Sequence, residues 1–488
     1  MQTALFMFNT YLMIKRITLL TMAVGLSCGV MAQNADKKKI LSSLTAKTDE
    51  YTKVAKDIWS FEEVGYQEVK SSALLESELE KSGFTITKGV ADIPTAFVAT
   101  YGSGKPVIAI LAEYDALPGI SQTGNPVQES NGGKAGHGCG HNLFGTASTA
   151  AAIAVSEWLK SSGKPGTIKL MGCPAEEGGS GKVYMVRAGL FHDVDATLHW
   201  HPGNVNSAGT FNTLANISGK FRFKGISSHA SGAPEKGRSA LDAVEAMDNM
   251  VNMMREHIPS DTRVHYVITH GGEAPNVVPA FAEVYYYVRN QDKQVVKDVW
   301  ARVVKAAEGA AMGTGTKMEV EITGGVYNML PNLAMAKVMD ANLRIVGGFT
   351  YTPEEKVWAE KIQTSFVGGK GPDLSSTAKI QAFEKEDVHG SSDVSDVSWT
   401  IPTTGLSTAT FVPGSAGHSW QNVAAAGTSI GAKGMMIAAK TLALSAYDFF
   451  NSPVVLKAAA KEFAERRGTD FKYEAMLGDR KPPLDYRK

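Results

Sequence analysis

Val107-Ile108-Ala109-Ile110-Leu111 is an unbroken apolar run, and Thr167-Ile168-Lys169-Leu170-Met171 matches it after a long loop, 115–141, and an Ala-, Ser- and Thr-rich segment, Leu143 to Leu159. Short continuous apolar runs read as strands buried on both faces. The segment between them reads as a helix ending near Gly163 and Pro165, with side chains small enough to lie close on a sheet. A strand, helix, strand unit requires a crossover, so the two strands are expected to run parallel. Phe97-Val98-Ala99-Thr100 offers another buried strand. Asp115, Glu176 and His199 fall near the ends of such runs, and open α/β sheets bind ligands at the carboxyl ends of their strands.

Outward from this unit, residues 37–83 read as two helices, with Ile40, Leu41, Leu44, Val54 and Ile58 at helical spacing and Gly83 closing the second. Between about Ile217 and Gly325 the pattern becomes strand (218–226), helix (238–256), two strands (263–270 and 280–289), helix (292–310) and strand (316–323). That βαββαβ order suits a small α+β sandwich inserted in a larger domain. The large domain then resumes: Thr352-Pro353-Glu354-Glu355 offers an N-cap, a first-turn proline and a capping-box glutamate for a helix through about Thr364. A last helix near Pro453 to Arg466 precedes a charged tail. The expected architecture is an α/β domain with a mostly parallel sheet, residues 33–216 and 326–488, interrupted by the insertion 217–325.

The chain has 488 residues, with 49 Lys and Arg against 49 Asp and Glu, and this balance argues against a basic nucleic-acid footprint or an acidic tail. A hydrophobic fraction of 43% and a charged fraction of 20% describe a folded globular protein. Lys15 and Arg16 precede an uncharged run, Ile17 to Ala32, that ends in Val30-Met31-Ala32, the layout of a secretory signal peptide over 1–32, with Met13 as the better start. The run is shorter than the roughly 20 residues needed to span a bilayer. Once the leader is cleaved, no stable membrane span is expected. An exported chain, periplasmic or secreted, follows; an uncleaved anchor and lipid attachment at Cys28 are the alternatives. Cys28 leaves with the leader, so Cys139 and Cys173 remain, too few for a disulfide scaffold.

In Gly136-His137-Gly138-Cys139-Gly140-His141-Asn142, glycines alternate with donors, and Cys-x-His can aim a thiolate and an imidazole at one point. Pro174-Ala175-Glu176-Glu177-Gly178-Gly179 sets adjacent carboxylates after a strand, which is costly unless a proton or cation offsets their repulsion. A metal centre would use one as ligand and its neighbour as base toward water. Leu198-His199-Trp200-His201-Pro202, following an apparent strand, and Gly417-His418-Ser419-Trp420, in a loop, add histidines. Together these supply enough donors for two divalent ions about 3.5–4 Å apart.

The chain resembles the M20 family of metallopeptidase-type amidohydrolases, in its p-aminobenzoyl-glutamate hydrolase branch. The resemblance rests on AEYDALPGI (112–120), GHGCGHNLFGTAS (136–148), CPAEEGGSGK (173–182), LHWHPG (198–203), SSHASGAPEKGRSALDAVEAM (227–247), GGEAPNVVPAFAEVYYYVR (271–289), GSSDVSDVSW (390–399) and PGSAGHSWQ (413–421). It implies two divalent ions, manganese or zinc, held by Cys139, His141, Glu177, His199 and His418, with Cys139 bridging. Glu176 is then the general base, and Asp115 accepts the remaining N–H of a ligand histidine. His137 and His201 lie off the matched ligand positions and read as supporting or structural residues. The insertion becomes a lid and dimerisation domain that supplies His229, Asn276 and Arg289 to the substrate, the histidine often across a dimer. The implied partners are a small-molecule amide and a second protein chain, in a homodimer or a heteromer with a related chain. The implied activity is cleavage of an N-acyl or p-aminobenzoyl amino acid. A dipeptidase or N-acyl-amino-acid deacylase is the close alternative, and a binding homologue without turnover the distant one.

Overall fold

The computed structural model describes residues 35–369 and 371–488; the expected leader, 1–32, lies outside the described residues. The principal strands, in chain order, are β1 (Thr85–Lys88), β2 (Phe97–Ser103), β3 (Val107–Ala112), β4 (Gly166–Gly172), β5 (Ala196–Gly203), β6 (Ala215–Lys224), β7 (Arg263–His270), β8 (Phe281–Asn290), β9 (Lys317–Val326) and β10 (Thr403–Ala409). The principal helices are α1 (Thr48–Phe61), α2 (Val69–Lys81), α3 (His141–Ser162), α4 (Ala240–Met254), α5 (Lys293–Thr314), α6 (Leu333–Val346), α7 (Pro353–Gln363), α8 (Ser429–Asn451) and α9 (Pro453–Arg467).

The large sheet has the order β1-β2-β4-β3-β5-β10. The last four strands in that order are parallel: β3 pairs with β4 from Val107↔Thr167 to Ala112↔Gly172, β3 pairs with β5, and β5 pairs with β10. β1 and β2 extend the sheet antiparallel. The crossover expected between Val107–Leu111 and Thr167–Met171 is therefore present, with α3 as its helix. α3 lies close on the sheet where a side chain is lacking: a Cβ at Gly145 would meet the carbonyl of Glu113, just past β3, at 2.7 Å. Phe144, Leu198, Trp200 and Leu442 fill the layer between α3, α8 and the sheet. Each such fully buried side chain contributes roughly 1.5–3 kcal/mol.

The chain leaves β3 for β4 on one side and returns to β5 on the other. The four parallel carboxyl ends thus surround a switch point, where α/β sheets open a crevice. The residues after β3, β4 and β10 are those with chemistry.

The segment between β6 and β9 forms an antiparallel sheet, β7-β8-β6-β9, with α4 and α5 on one face. Phe221, Phe223, Val284, Tyr286 and Val288 alternate toward Val244, Met247 and Val303, as period-two strands over amphipathic helices should. β7 is an edge strand and exposes Tyr266, Val267 and Ile268. The N-terminal segment differs in detail from the two-helix reading: helical backbone runs 35–46, breaks at Lys47, resumes as α1 and ends at Glu62, whose φ is +51°, before α2. Among the described residues no helix is long and apolar enough to cross a membrane.

The capping box read at Thr352 is formed: its hydroxyl accepts from Glu355 N–H at 3.2 Å, and the Glu355 carboxylate accepts from Thr352 N–H at 2.8 Å. Glu355 also holds Ser429 and Lys433 of α8. Thr352→Ala is expected to lower stability by about 1 kcal/mol, read as an earlier urea midpoint, with catalytic constants unchanged.

Candidate metal centre

Asp115, three residues past the end of β3, is buried and uses both carboxylate oxygens. Oδ1 lies 2.8 Å from Nδ1 of His141, and Oδ2 accepts the Glu177 N–H at 2.9 Å. The first contact sets the tautomer of His141 and leaves Nε2 free to act as a ligand atom. The second pins the turn that follows β4. His141 is the first residue of α3, and Gly140 between it and Cys139 takes a left-handed conformation, φ +75°.

Among the described residues, three donor groups result. Cys139, His141 and His201 offer ligand atoms within 4.8 Å of one another; so do Cys139, Glu177 and His418, and so do Glu113, His141 and Glu176. The first two share Cys139. Sγ of Cys139 is 3.3 Å from Nε2 of His201, and Nε2 of His418 is 3.4 Å from Oε1 of Glu177. His141 Nε2 and Glu177 Oε1 are buried, and what faces them is other donor atoms of the cluster, Glu113 at 3.1 Å and His418 at 3.4 Å. Thiol, imidazole and carboxylate groups that converge in this way fit a pair of divalent cations. His418 is exposed and marks the open side of the cluster.

The turn carrying the two glutamates is strained. Ala175 has φ +55° and Ser180 φ +58°, conformations that cost of order 1–3 kcal/mol each and survive only where neighbours over-determine them. Glu68 holds the Ala175 N–H at 2.8 Å, Tyr66 donates to the Gly179 carbonyl at 2.7 Å, and Asp393 accepts the Lys182 N–H at 2.8 Å. His418 also has a positive φ, +56°.

Charge explains the rest of the surroundings. Burial, then the nearby Glu113, Glu177 and Asp393, push the Glu176 carboxyl well above the ordinary carboxylate range. Burial also raises the Cys139 thiol. Burial opposes a charge on His141, but Cys139, Asp115 and Glu113 outweigh it and raise its pKa. Burial, reinforced by His141, lowers His201 to about 4, so its imidazole is neutral and available as a ligand at pH 7.

In LHWHPG it is His201, and not the expected His199, that joins a donor group, although His199 Nε2 is also buried without a hydrogen-bond partner. The motif lies inside β5 rather than after it. His201, at the carboxyl end, is level with Cys139. His199, two residues earlier, is buried over Gly405 of the neighbouring strand, where a Cβ would meet its Nε2 at 2.3 Å, and its ring lies 5.8 Å from Phe211. It belongs to none of the donor groups. His137 has a structural place: its Nε2 is 3.1 Å from the Ile58 carbonyl of α1.

Three neighbours were not singled out by the sequence reading. Lys182 is fully buried, with Nζ 2.7 Å from both Glu113 and Asp393, and Glu113 in turn lies 3.1 Å from His141 Nε2. All three sit inside the motif stretches, but a charged letter does not reveal that it is buried; only the apolar run Val183–Val186 after Lys182 hinted at it.

His229, Asn276 and Arg289 lie on the inserted domain and outside the donor groups. His229 is exposed, and its Nδ1 accepts from the Gly232 N–H at 3.1 Å, leaving Nε2 to carry the proton. The Asn276 carbonyl accepts from Ala230 N–H, which makes the two loops neighbours. Arg289 rests 5.1 Å above Tyr287, with its Nε unpaired.

Two outcomes follow. His201→Ala is expected to remove at least one equivalent of bound metal by elemental analysis, whereas His199→Ala retains the parent stoichiometry. Because Cys139 and His141 hold protons in the metal-free fold that ligation must displace, metal uptake at pH 7 releases protons and affinity rises with pH. Calorimetry in buffers of different ionisation enthalpy measures this, and a buffer-independent heat contradicts it.

Comparison with known proteins identifies the family of the chain. Residues 215–314 match the family model described as a peptidase dimerisation domain. The chain is 42% identical over 449 residues to one of the p-aminobenzoyl-glutamate hydrolase chains of Escherichia coli, covering 86% of this chain and 93% of that one. It is 28% identical over 430 residues to the human Xaa-Arg dipeptidase, covering 84% and 88%. Its fold matches a crystal structure from Bacillus subtilis, described as a dinuclear metal binding peptidase from the M20 family, with a TM-score of 0.57 at 18% identity, over 84% of this chain and 99% of that one. With a parallel sheet that gathers two donor triads and a dimerisation-type insertion, the chain belongs to the M20 family of metal-dependent hydrolases that act on amide bonds.

Proposed function

We propose that this chain hydrolyses the amide bond of p-aminobenzoyl-glutamate or a closely related N-acyl amino acid. The observation that carries this reading is the pair of donor triads joined at Cys139, with Glu176 set against one of them. In this reading Cys139, His141 and His201 hold one cation, and Cys139, Glu177 and His418 the other. When bound, such a pair supplies Lewis acidity, which makes a water acidic and polarises a carbonyl. The thiolate and imidazoles favour zinc, and the carboxylate suits manganese.

The chain's own groups do the remaining work. Glu176, shielded and surrounded by like charges, is suited to accept a proton from the attacking water and to return it to the departing amine. His229, with Nε2–H facing out of its loop, can donate to the oxygen of the scissile carbonyl as negative charge develops there. Arg289, whose Nε lacks a partner, can clamp a substrate carboxylate in its planar fork. Asn276 beside His229 adds an amide for orientation.

The unpaired edge of β7, with Tyr266, Val267 and Ile268 exposed, supports assembly with a second protein chain, either another copy or a related one. The similar Escherichia coli protein is named as one subunit of its hydrolase, which favours the related chain as one form of partner. The signal-like residues 1–32 support export to the periplasm or beyond, where acylated amino acids or peptides would be the supply. Similarity to the Xaa-Arg dipeptidase favours a dipeptide as the second reading.

Glu176→Gln is expected to keep both metals and lower kcat by about 10²–10⁴-fold on the best of a panel comprising p-aminobenzoyl-glutamate, N-acetyl amino acids and Xaa-Arg dipeptides. Parent-level turnover removes Glu176 from its role. Faster cleavage of the dipeptides moves the assignment to the second reading.

A further inference from the structure

The segment after α9, residues 470–488, folds back along the molecule and ends on the metal centre. Tyr486 donates its hydroxyl to the Glu177 carbonyl at 2.9 Å, and Arg487 donates to the same oxygen at 3.1 Å. Together with the Asp115 contact, this means both ends of the Glu177 backbone are held: the N–H by Asp115 and the carbonyl by two side chains far away in sequence. Glu177 belongs to one donor triad and Glu176 precedes it, so any rotation of this peptide re-aims both carboxylates.

The approach is built into the fold. A Cβ at Gly65 would lie 2.1 Å from the Tyr486 hydroxyl, so a residue with a side chain there would displace it. The Tyr486 ring meets Tyr66 edge-on at 5.5 Å, and Gln67 donates to the Leu484 carbonyl at 2.8 Å. Tyr66 is the residue that holds the far side of the strained turn through Gly179, so the segment and the turn share one support. Earlier in the segment, Arg480 donates to the Ile322 carbonyl of β9 at 2.5 Å, and Leu477 packs with Val326 of the same strand. The segment thus touches both the inserted domain and the glutamate turn.

We infer that residues 470–488 act as a positioning strap for the metal centre, in which Tyr486 and Arg487 fix the Glu177 peptide and so aim Glu176 and Glu177. The inference rests on the dinuclear reading above, because it assigns Glu177 to a ligand set. Neither side chain touches the substrate or the reacting atoms; both act through Glu177.

The test is calorimetry of Zn²⁺ or Mn²⁺ binding to the metal-stripped full chain, paired with kcat and KM. Tyr486→Phe with Arg487→Ala is expected to weaken metal binding by about 10–100-fold and to lower kcat by a similar factor, with KM within about twofold of the parent. Tyr486→Phe alone keeps the ring against Tyr66 and gives a partial loss if the double variant does not fold. Arg487→Lys is expected to restore most of the Arg487→Ala loss. Arg344→Ala, which breaks that α6 side chain's contacts with Asp340 and Gln381 outside the strap, is expected to keep parent metal affinity. Parent-level metal affinity in the Tyr486 and Arg487 variants, even with a lowered Tm, overturns the inference, because it leaves those residues a purely structural part. A parent chain that binds two ions yet cleaves none of the amides defeats the substrate reading alone, since metal affinity still scores the strap.

Discussion

One buried carboxylate coordinates the centre. Asp115 spans the Nδ1 of His141 and the N–H of Glu177, and these two residues belong to different donor triads. The loop that enters α3 and the turn that leaves β4 come from distant parts of the chain, and Asp115 gives them a common reference. It can do so because β3 lies between β4 and β5 in the sheet, so the residue just beyond its end stands at the middle of the crevice. Movement of this carboxylate would displace one member of each donor triad that shares Cys139.

The same place concentrates negative charge. Glu68, Glu113, Asp115 and Asp393 are buried around Glu176 and Glu177, with Lys182 between two of them. Taking such ions from water costs several kcal/mol apiece unless partners compensate. Asp393 and Glu113 keep Lys182 charged despite its burial, and burial followed by the field of Asp115 raises Glu68 to about 8. A dinuclear cation pair and a set of raised proton affinities are two expressions of one electrostatic excess, and an enzyme that must accept and return a proton at neutral pH can use it.

Much of this was legible in the sequence. The apolar runs at 107–111 and 167–171 marked the parallel pair, the change of period near 217 marked the insertion, and Thr352 announced its own helix. Cys139, His141, Glu177 and His418 converge as donor types because glycine-rich turns and strand ends are where side chains can be aimed. Position along β5 was not legible: in LHWHPG two histidines share a face of the strand, and only the packing of His199 onto Gly405 shows which of them stops short of the centre. Glu113, Lys182 and Asp393 were hidden because each reads as a surface charge until the fold buries it. The strap was invisible for a related reason. Its contacts are long-range hydrogen bonds to a backbone carbonyl, which leave no periodicity and no motif.

X-ray absorption at the zinc edge of the zinc-loaded protein tests the central claim, that Cys139 joins two donor triads into one dinuclear centre. The expected spectrum shows a sulfur neighbour at about 2.3 Å and a second zinc about 3.5–4 Å away. A coordination sphere without sulfur, or a single isolated ion at full loading, would contradict it.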